Sequence, residues 1–363
     1  MKTAVLLSGG VDSSAALFRL KEQGGHQLTA YYLKIWLEDE LSYLGDCPWE
    51  EDLAYARAVC DQAGVPLKVI PLQTEYYERV VSYAIEELKA GHTPSPDIFC
   101  NLRVKFGAFF DKVEDSFDKV ASGHYALSGF EEGVAKLWRS PDPVKDQSYF
   151  LSHLTQAQVA KILFPIGALH KAQVRQMAQD WNLANKDRKD SQGICFLGKI
   201  KYNDFVKYYL GERPGPILER ETGKKLGEHK GFWFHTIGQR QGLGLGNGPW
   251  FVVAKDIDAN VIYVSHQEHR EEQGKTSFVC GQLTWISRPP REDEALVCKL
   301  RHGPDLIPCT IQWGQSPLGE PRLHIHLARP DRGLAPGQFC VLYAGTECLG
   351  GGMILEAFWT VTP

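Results

Sequence analysis

The architecture this sequence predicts is α/β: an N-terminal doubly wound parallel sheet, a small central domain and a C-terminal β-barrel. Three observations carry that reading. Strand-like and helix-like segments alternate over roughly the first 130 residues, the pattern of repeated βα units. The first apolar run ends in SGGVDSS, Ser8 to Ser14, a glycine turn placed where a helix should start. From Phe278 onward, short apolar runs alternate with Pro, Gly and Asp turns, as in a small barrel.

Thr3 to Leu7 (TAVLL) reads as a buried strand, and Asp12 or Ser13 can cap the helix that follows to Gln23. Gly24 and Gly25 end it, and Leu28 to Trp36 reads as a second strand. EEDLAYARAVCDQAG has helical periodicity and stops at Gly64; PLKVIPL is the third strand. Further helices are expected over Glu75 to Ala90 and Val104 to Glu114, with a strand from Asp118 running into the SGHY turn. Both SGGVDSS and SGHY then fall at the carboxyl ends of parallel strands, where such sheets bind ligands.

Beyond this, Gln156 to Asn182 looks helical, and Gly211 to Gly248 is rich in turn residues. QLTWIS, ALVCKLR, CTIQW, RLHIHLA, QFCVLYA and CLGGGMI supply the six expected barrel strands. The expected partition is a catalytic domain over 1–205, a central domain over 206–272 and the barrel over 273–363. The chain of 363 residues is long enough for two or three domains with separate cores.

Composition narrows the class. No apolar run is long enough to span a membrane, and the strand-like start predicts no signal or transit peptide. Nine cysteines, odd in number and never spaced C-x-x-C, argue against a disulfide framework, a zinc ribbon or an iron–sulfur cluster. A cytoplasmic protein is expected. The net charge of −4 gives no support for coating nucleic acid, although local basic patches can still bind a polyanion.

Backbone N–H groups in a glycine turn, backed by a helix N-terminus, form an anion site. Ser8, Ser13 and Ser14 add hydroxyls, and Asp12 is tolerable beside phosphates if it meets a magnesium ion. The loop lacks the lysine of a Walker A motif. Two thiols lie in polar loops: Cys100 in HTPSPDIFCN, with Arg103 and Lys105 close behind, and Cys195 in KDSQGICF, preceded by Lys186, Arg188 and Lys189. Cationic neighbours lower a thiol pKa, so this pair suggests sulfur transfer through a persulfide. Cys60, Cys280, Cys298, Cys309, Cys340 and Cys348 sit inside helix or strand patterns and read as small core residues; Cys47 has no assigned role.

SGGVDSS resembles the PP-loop of the N-type ATP pyrophosphatases, of the adenine nucleotide alpha hydrolase-like fold. That resemblance implies ATP cleavage between the α and β phosphates, with AMP passed to a substrate oxygen. In series, SGGVDSS, PSPDIFCN, SGHYA, KDQSYFL, DSQGICF and HTIGQRQGLG resemble the tRNA-specific 2-thiouridylase family over essentially the whole chain, including KLRHGPDLIPC and APGQFCVLY. The resemblance implies that Leu6, Leu7, Ser8, Gly9, Gly10, Val11, Asp12 and Ser13, with Leu33 and Gly123, bind ATP. It implies Cys195 as persulfide carrier, Cys100 as partner thiol able to form a transient disulfide with it, and Asp97 as acid or base. Ser95, Pro96, Asp97, His124, Lys145, Asp146, Gln147, Arg301, His302 and Gln338 are the implied tRNA contacts. Partners would be tRNA, read at the wobble uridine of the anticodon arm, and a cysteine desulfurase or sulfur-relay protein; ATP and Mg2+ would be needed. The family often has Asn where Ser95 stands and Met where Leu33 stands.

Two other readings fit parts of the chain. A PP-loop amide ligase or synthetase for a small molecule accounts for the first domain but leaves Cys100, Cys195 and the barrel without work. A nucleotide-binding or sulfur-carrier module without catalysis predicts ATP binding but no AMP formation.

Overall fold

The computed structural model describes residues 1–35, 49–113, 116–190 and 201–358. The N-terminal sheet is built on β1 (Lys2–Leu6), β2 (Gln27–Lys34), β3 (Leu67–Pro71), β4 (Lys119–Ala121) and β7 (Ile162–Leu163), in the order β3-β2-β1-β4-β7. All neighbours are parallel, and Val5 stands opposite both Ala30 and Ala121. Side chains of β1 alternate between two cores. Ala4 and Leu6 enter one, while Val5 and Leu7 enter the other with Leu17, Val59 and Ala63 from α1 (Val11–Gln23) and α2 (Trp49–Ala63). Both faces are therefore covered by helices, the doubly wound arrangement expected of parallel sheets. The chain order reverses between β1 and β4, which places the crevice of such a sheet beside SGGVDSS.

On the first face lie α3 (Gln73–Tyr76), the wide turn Tyr77–Val81 and α4 (Ser82–Lys89). Next comes α5 (Pro96–Phe99), which runs through a π-helical stretch, Cys100–Ala108, into α6 (Phe109–Val113). The helix expected from Val104 therefore starts eight residues earlier by these bounds. Pro96 occupies its first turn, where a missing N–H costs nothing, and Ser95 takes the N-cap position.

The helix expected over Gln156 to Asn182 is interrupted. α8 (Gln156–Lys161) gives way to β7, and the chain turns before α9 (Lys171–Asp180). Pro165 and Gly167 mark the break, and a Cβ on Gly167 would lie 1.7 Å from the Ala126 carbonyl oxygen.

After α10 (Tyr202–Leu210), β8 (Gly215–Glu219), β9 (Lys225–His229), β10 (Trp250–Asp256) and β11 (Val261–His266) form a separate four-stranded sheet. The last six strands close on themselves: β12 (Lys275–Trp285), β13 (Leu296–Lys299), β14 (Ile307–Gln315), β15 (Pro321–Asp331), β16 (Phe339–Ala344) and β17 (Glu347–Phe358). They run in the order β12-β15-β14-β13-β16-β17, and β12 pairs with β17 to seal the barrel. Closure needs the glycines of CLGGGMI. A Cβ on Gly350 would stand 2.1 Å from the Thr284 oxygen, and one on Gly351 1.9 Å from that of Cys340.

One hairpin was not foreseen. β5 (Ala126–Glu131) and β6 (Val134–Arg139) leave the first domain and add to the barrel sheet through Glu347 and Trp138. The first domain and the barrel therefore share apolar packing, with Ala135, Leu137, Tyr343 and Cys348 in the same core as Tyr31 and Phe109.

Candidate functional site

The turn after β1 is braced from several sides. Gly9 adopts φ +76°, and a Cβ there would lie 2.2 Å from the Asp52 carbonyl oxygen, so only glycine fits. Gly10 takes the N-cap position of α1, in place of the side-chain cap expected from Asp12 or Ser13. The hydroxyls of Ser13 and Ser14 instead donate back to the Gly10 carbonyl, each at 3.0 Å, and Ser13 Oγ accepts from the Ser8 N–H at 3.2 Å. Asn185 Nδ2 donates to the Gly9 carbonyl at 2.8 Å and to Ser14 Oγ at 2.9 Å; Arg188 donates to the same carbonyl at 3.1 Å and pairs with Asp52. Burial raises the Asp52 carboxyl against the pull of Arg188. These contacts fix the loop before any ligand arrives, which is what an anion cradle requires. Leu6, Leu7 and Val11 are buried beneath it, and Leu33 is half-buried on β2.

Gly123 stands against the same helix start. A Cβ on it would fall 2.7 Å from the Ser13 nitrogen and 2.8 Å from the Asp12 carbonyl carbon. Its need for glycine is met by the backbone of the loop itself.

Asp12 sits in the first turn of α1, where the helix dipole favours a carboxylate. Lys171 Nζ donates to its two oxygens at 2.7 and 2.8 Å, and Tyr125 Oη donates to Oδ1 at 2.9 Å. Burial, then the Asp12 carboxylate, pushes the Tyr125 hydroxyl pKa up, so it stays a donor. Lys171 also reaches Asp190 at 2.8 Å, as does Lys145, and Arg175 pairs with the same carboxylate. Burial works against the charge of Asp190, but hydrogen bonds from Lys145 and Lys171 outweigh it and hold the carboxyl well below its usual range.

Ser95 to Cys100 form the other pole. Pro96 is buried, Asp97 half-buried and Cys100 1% exposed, the first residue of the π-helical stretch. Arg103, expected to stand beside the thiol, lays its guanidinium 3.9 Å over the Phe99 ring and donates to the Arg79 carbonyl at 3.0 Å. Asn101 donates to the Phe150 carbonyl at 3.1 Å, tying this helix to α7 (Ser148–Leu151).

Lys145, Asp146 and Gln147 divide their roles. Lys145 holds Asp190, as above. Gln147 Oε1 accepts from the Tyr125 N–H at 3.0 Å. Asp146, an expected tRNA contact, has a side chain 1% exposed that pairs with equally buried Lys299 at 2.6 Å. It also accepts from Ser140 N–H, Ser148 N–H and Ser148 Oγ, so it is turned inward as a tie between α7 and the barrel. His124 accepts or donates at Nδ1 to Ser122 Oγ at 2.6 Å with its ring near Phe106 and Phe164; burial, then Lys105, lowers its pKa well below the usual value. A neutral half-buried ring offers no charge to a phosphate.

His302 stacks on Phe150 with ring centres 4.8 Å apart, and burial lowers its pKa. Arg301 pairs with Asp331 at 2.5 Å while remaining half-exposed. Arg301 and Gln338 line a cleft of about 470 Å³ between the four-stranded sheet and the barrel, whose walls also carry Arg220, Lys275, Arg329 and Arg332 against Asp305 and Asp331. Burial, and to a lesser degree Arg220, lowers the Lys275 pKa.

Cys195 and Cys47 lie outside the described residues. Of the cations expected behind Cys195, Arg188 serves the Gly9 turn and Lys186 bonds Asn182 Oδ1 at 2.5 Å. The remaining thiols are buried, and burial pushes Cys60 up to about 11 and raises Cys340 and Cys348 strongly, as inert core residues should behave. Sequence reasoning gave no role to Tyr125, although it ends the SGHY turn, and missed Lys171, Asn185 and Asp52, which reach the loop only through the fold.

The poles are linked. Asp12 meets Tyr125, Tyr125 exchanges backbone and side-chain bonds with Gln147, and α7 begins at the next residue and carries Phe150 to Asn101, beside Cys100.

Three family models match the chain: a tRNA methyl transferase HUP domain over residues 1–199, a tRNA methyl transferase PRC-barrel domain over 203–266 and an aminomethyltransferase beta-barrel domain over 275–354. Among curated relatives, the tRNA-specific 2-thiouridylase MnmA of Parabacteroides distasonis is 46% identical over 98% of this chain and 99% of its own. MnmA 2 of Bacteroides fragilis is 46% identical over 98% and 100%, and MnmA of Porphyromonas gingivalis 45% over 98% and 99%.

Proposed function

Because the chain belongs to the tRNA-specific 2-thiouridylase family, we propose the course its reaction takes and the residues that carry it. The protein is an ATP-dependent tRNA sulfurtransferase that installs 2-thiouridine. The observation that supports the assignment of residues is the short bonded path from the braced loop at Asp12, through Tyr125 and Gln147, to the helix of Cys100.

ATP lies with its phosphates on the N–H groups of Ser8 to Ser13 and its adenine against Leu33. Among the described residues no three His, Cys, Asp or Glu side chains gather as a metal cage. Asp12 is the carboxylate that would hold a magnesium ion carried by the nucleotide, which would neutralise phosphate charge. The wobble uridine leaves its stack, as base-modifying enzymes require, and Ser95 and Asp97 receive it. Its O2 attacks the α-phosphorus, the bond to the bridging oxygen breaks, pyrophosphate leaves with the electron pair and the N3 proton is lost, Asp97 being the acceptor.

The terminal sulfur of a Cys195 persulfide then attacks C2 and AMP departs. The Cys100 thiolate attacks the Cys195 Sγ, breaking the S–S bond so that its electron pair stays with the sulfur on C2, and N3 takes back a proton. The products are 2-thiouridine and a Cys100–Cys195 disulfide, which a dithiol reductant reopens. A cysteine desulfurase or relay protein reloads Cys195. Lys145, Gln147, Arg301, His302 and Gln338 border the RNA, and the basic cleft receives its backbone. Asp146 and His124 support these residues from within. Among the described residues no helix is long and apolar enough to cross a membrane, and a cytoplasmic setting suits a tRNA substrate and reduced thiols.

Nucleoside mass spectrometry tests the reading. Unmodified tRNA incubated with this protein, ATP-magnesium, cysteine and a desulfurase should yield 2-thiouridine. Pyrophosphate release that ignores tRNA and responds to a small carboxylate would return the chain to the amide-ligase class.

A further inference from the structure

The glycine loop lacks a Walker lysine, yet the fold delivers one from 159 residues away: Lys171 Nζ lies 2.7 Å from Asp12, in the first turn of α1. The geometry points to Lys171 as a catalytic cation that leaves Asp12 for the pyrophosphate as it departs. This rests on the adenylation reading above and adds a residue to it.

Three features argue for more than a tie between helices. First, Lys171 opens α9, its own N–H fixed by Asp142 Oδ2 at 2.9 Å, so the stem is anchored while the ammonium projects to the mouth of the loop. Second, the ammonium already has an alternative seat, Asp190 at 2.8 Å, so leaving Asp12 does not strand it. Asp190 is also held by Lys145 and Arg175, and these five side chains sum to one net positive charge, suited to an arriving polyphosphate. Third, Lys171 engages both oxygens of Asp12 in the free protein, so the ammonium and a magnesium ion carried by the nucleotide would compete for that carboxylate.

In the reaction, uridine O2 bonds to the α-phosphorus while the bond from that phosphorus to the β-bridging oxygen breaks. Charge grows on the leaving pyrophosphate, and a desolvated ammonium placed there stabilises the transition state more than the ground state. A flexible four-carbon stem ending in three donors suits a cation that must change partners.

The test measures single-turnover transfer of label from [α-32P]ATP to unmodified tRNA by the full-length protein, with tRNA affinity and melting temperature alongside. Lys171→Met should slow AMP transfer by about 10²–10³, in the range for losing one oriented donor, with tRNA affinity unchanged. Lys171→Arg should recover most of the rate. Varying ATP-magnesium separates the roles. If Lys171 only positions Asp12 for nucleotide binding, saturating ATP-magnesium restores the rate of Lys171→Met; the inference requires that the rate stays low at saturation. A saturated Lys171→Met rate within threefold of the parent overturns the proposal. If Lys171→Met does not fold, Lys171→Gln is judged by the same criteria. Failure of the unsubstituted protein to label tRNA would overturn the adenylation reading, and this inference with it.

Discussion

Replacing Lys299 by Met strikes a buried ion pair that ties the barrel to the segment Lys145 to Gln147. Lys299 and Asp146 are each 1% exposed and meet at 2.6 Å. Without the ammonium, Asp146 keeps three donors, Ser140 N–H, Ser148 N–H and Ser148 Oγ, but its charge is left uncompensated. Breaking a buried pair at one partner costs about 3–5 kcal/mol. At roughly 2–4 °C per kcal/mol for a sizeable domain, the melting temperature should fall on the order of 10 °C. Lys299→Met/Asp146→Asn removes the orphaned charge while keeping an amide acceptor for the serines, so it should recover most of the loss. Urea unfolding followed by tryptophan fluorescence reads the three variants against the parent. A Lys299→Met cost below about 1 kcal/mol, or a double variant no more stable than the single, would refute the reasoning.

Further consequences are open to measurement. Gly123→Ala puts a methyl 2.7 Å from the Ser13 nitrogen, so equilibrium dialysis should show ATP affinity falling at least tenfold while tRNA affinity holds; equal ATP binding would clear Gly123 of that role. His153 is 4% exposed, with its ring centre 4.6 Å from that of Phe339, and burial lowers its pKa to about 4. The unfolded chain then binds the proton first, so stability falls as pH drops from about 6.5 towards 4, by roughly 3 kcal/mol for this group. His153→Leu should flatten that acid limb in denaturant titrations, and an unchanged slope would assign it elsewhere. Arg301→Ala and Arg329→Ala, both lining the basic cleft, should each weaken tRNA binding and reduce the salt slope by about 1; a slope unchanged from the parent would move the RNA off this cleft. Cys340→Ala should destabilise the barrel without ending thiolation, whereas loss of thiolation in a folded variant would make that thiol functional.

What could be read from the chain was local. SGGVDSS announced its turn because glycine and hydroxyl side chains are written into the motif, and β1, α1 and α2 follow from periodicity and glycine stops. The barrel strands were legible for the same reason, although their order and the β12–β17 seal are not. The hairpin β5–β6 escaped because its partner strand is more than two hundred residues away. Cys100 was expected before a helix and lies inside one, since Pro96 starts helices as readily as it ends them. For Asp146 nothing local in KDQSYFL announces the buried pair, because only the fold brings Lys299 to it. Lys171 and Asn185 carry no motif; only the approach of α9 and the chain beyond it to the loop reveals them.

The account's central claim is that the loop adenylates a tRNA uridine and that sulfur arrives separately, from Cys195. Its most direct test follows [α-32P]ATP, unmodified tRNA and 2-thiouridine in one reaction with the Cys195→Ser variant. The account predicts labelled AMP on the RNA, pyrophosphate released in equal amount, and no 2-thiouridine. Normal 2-thiouridine from that variant, or no AMP on RNA from either protein, would contradict it.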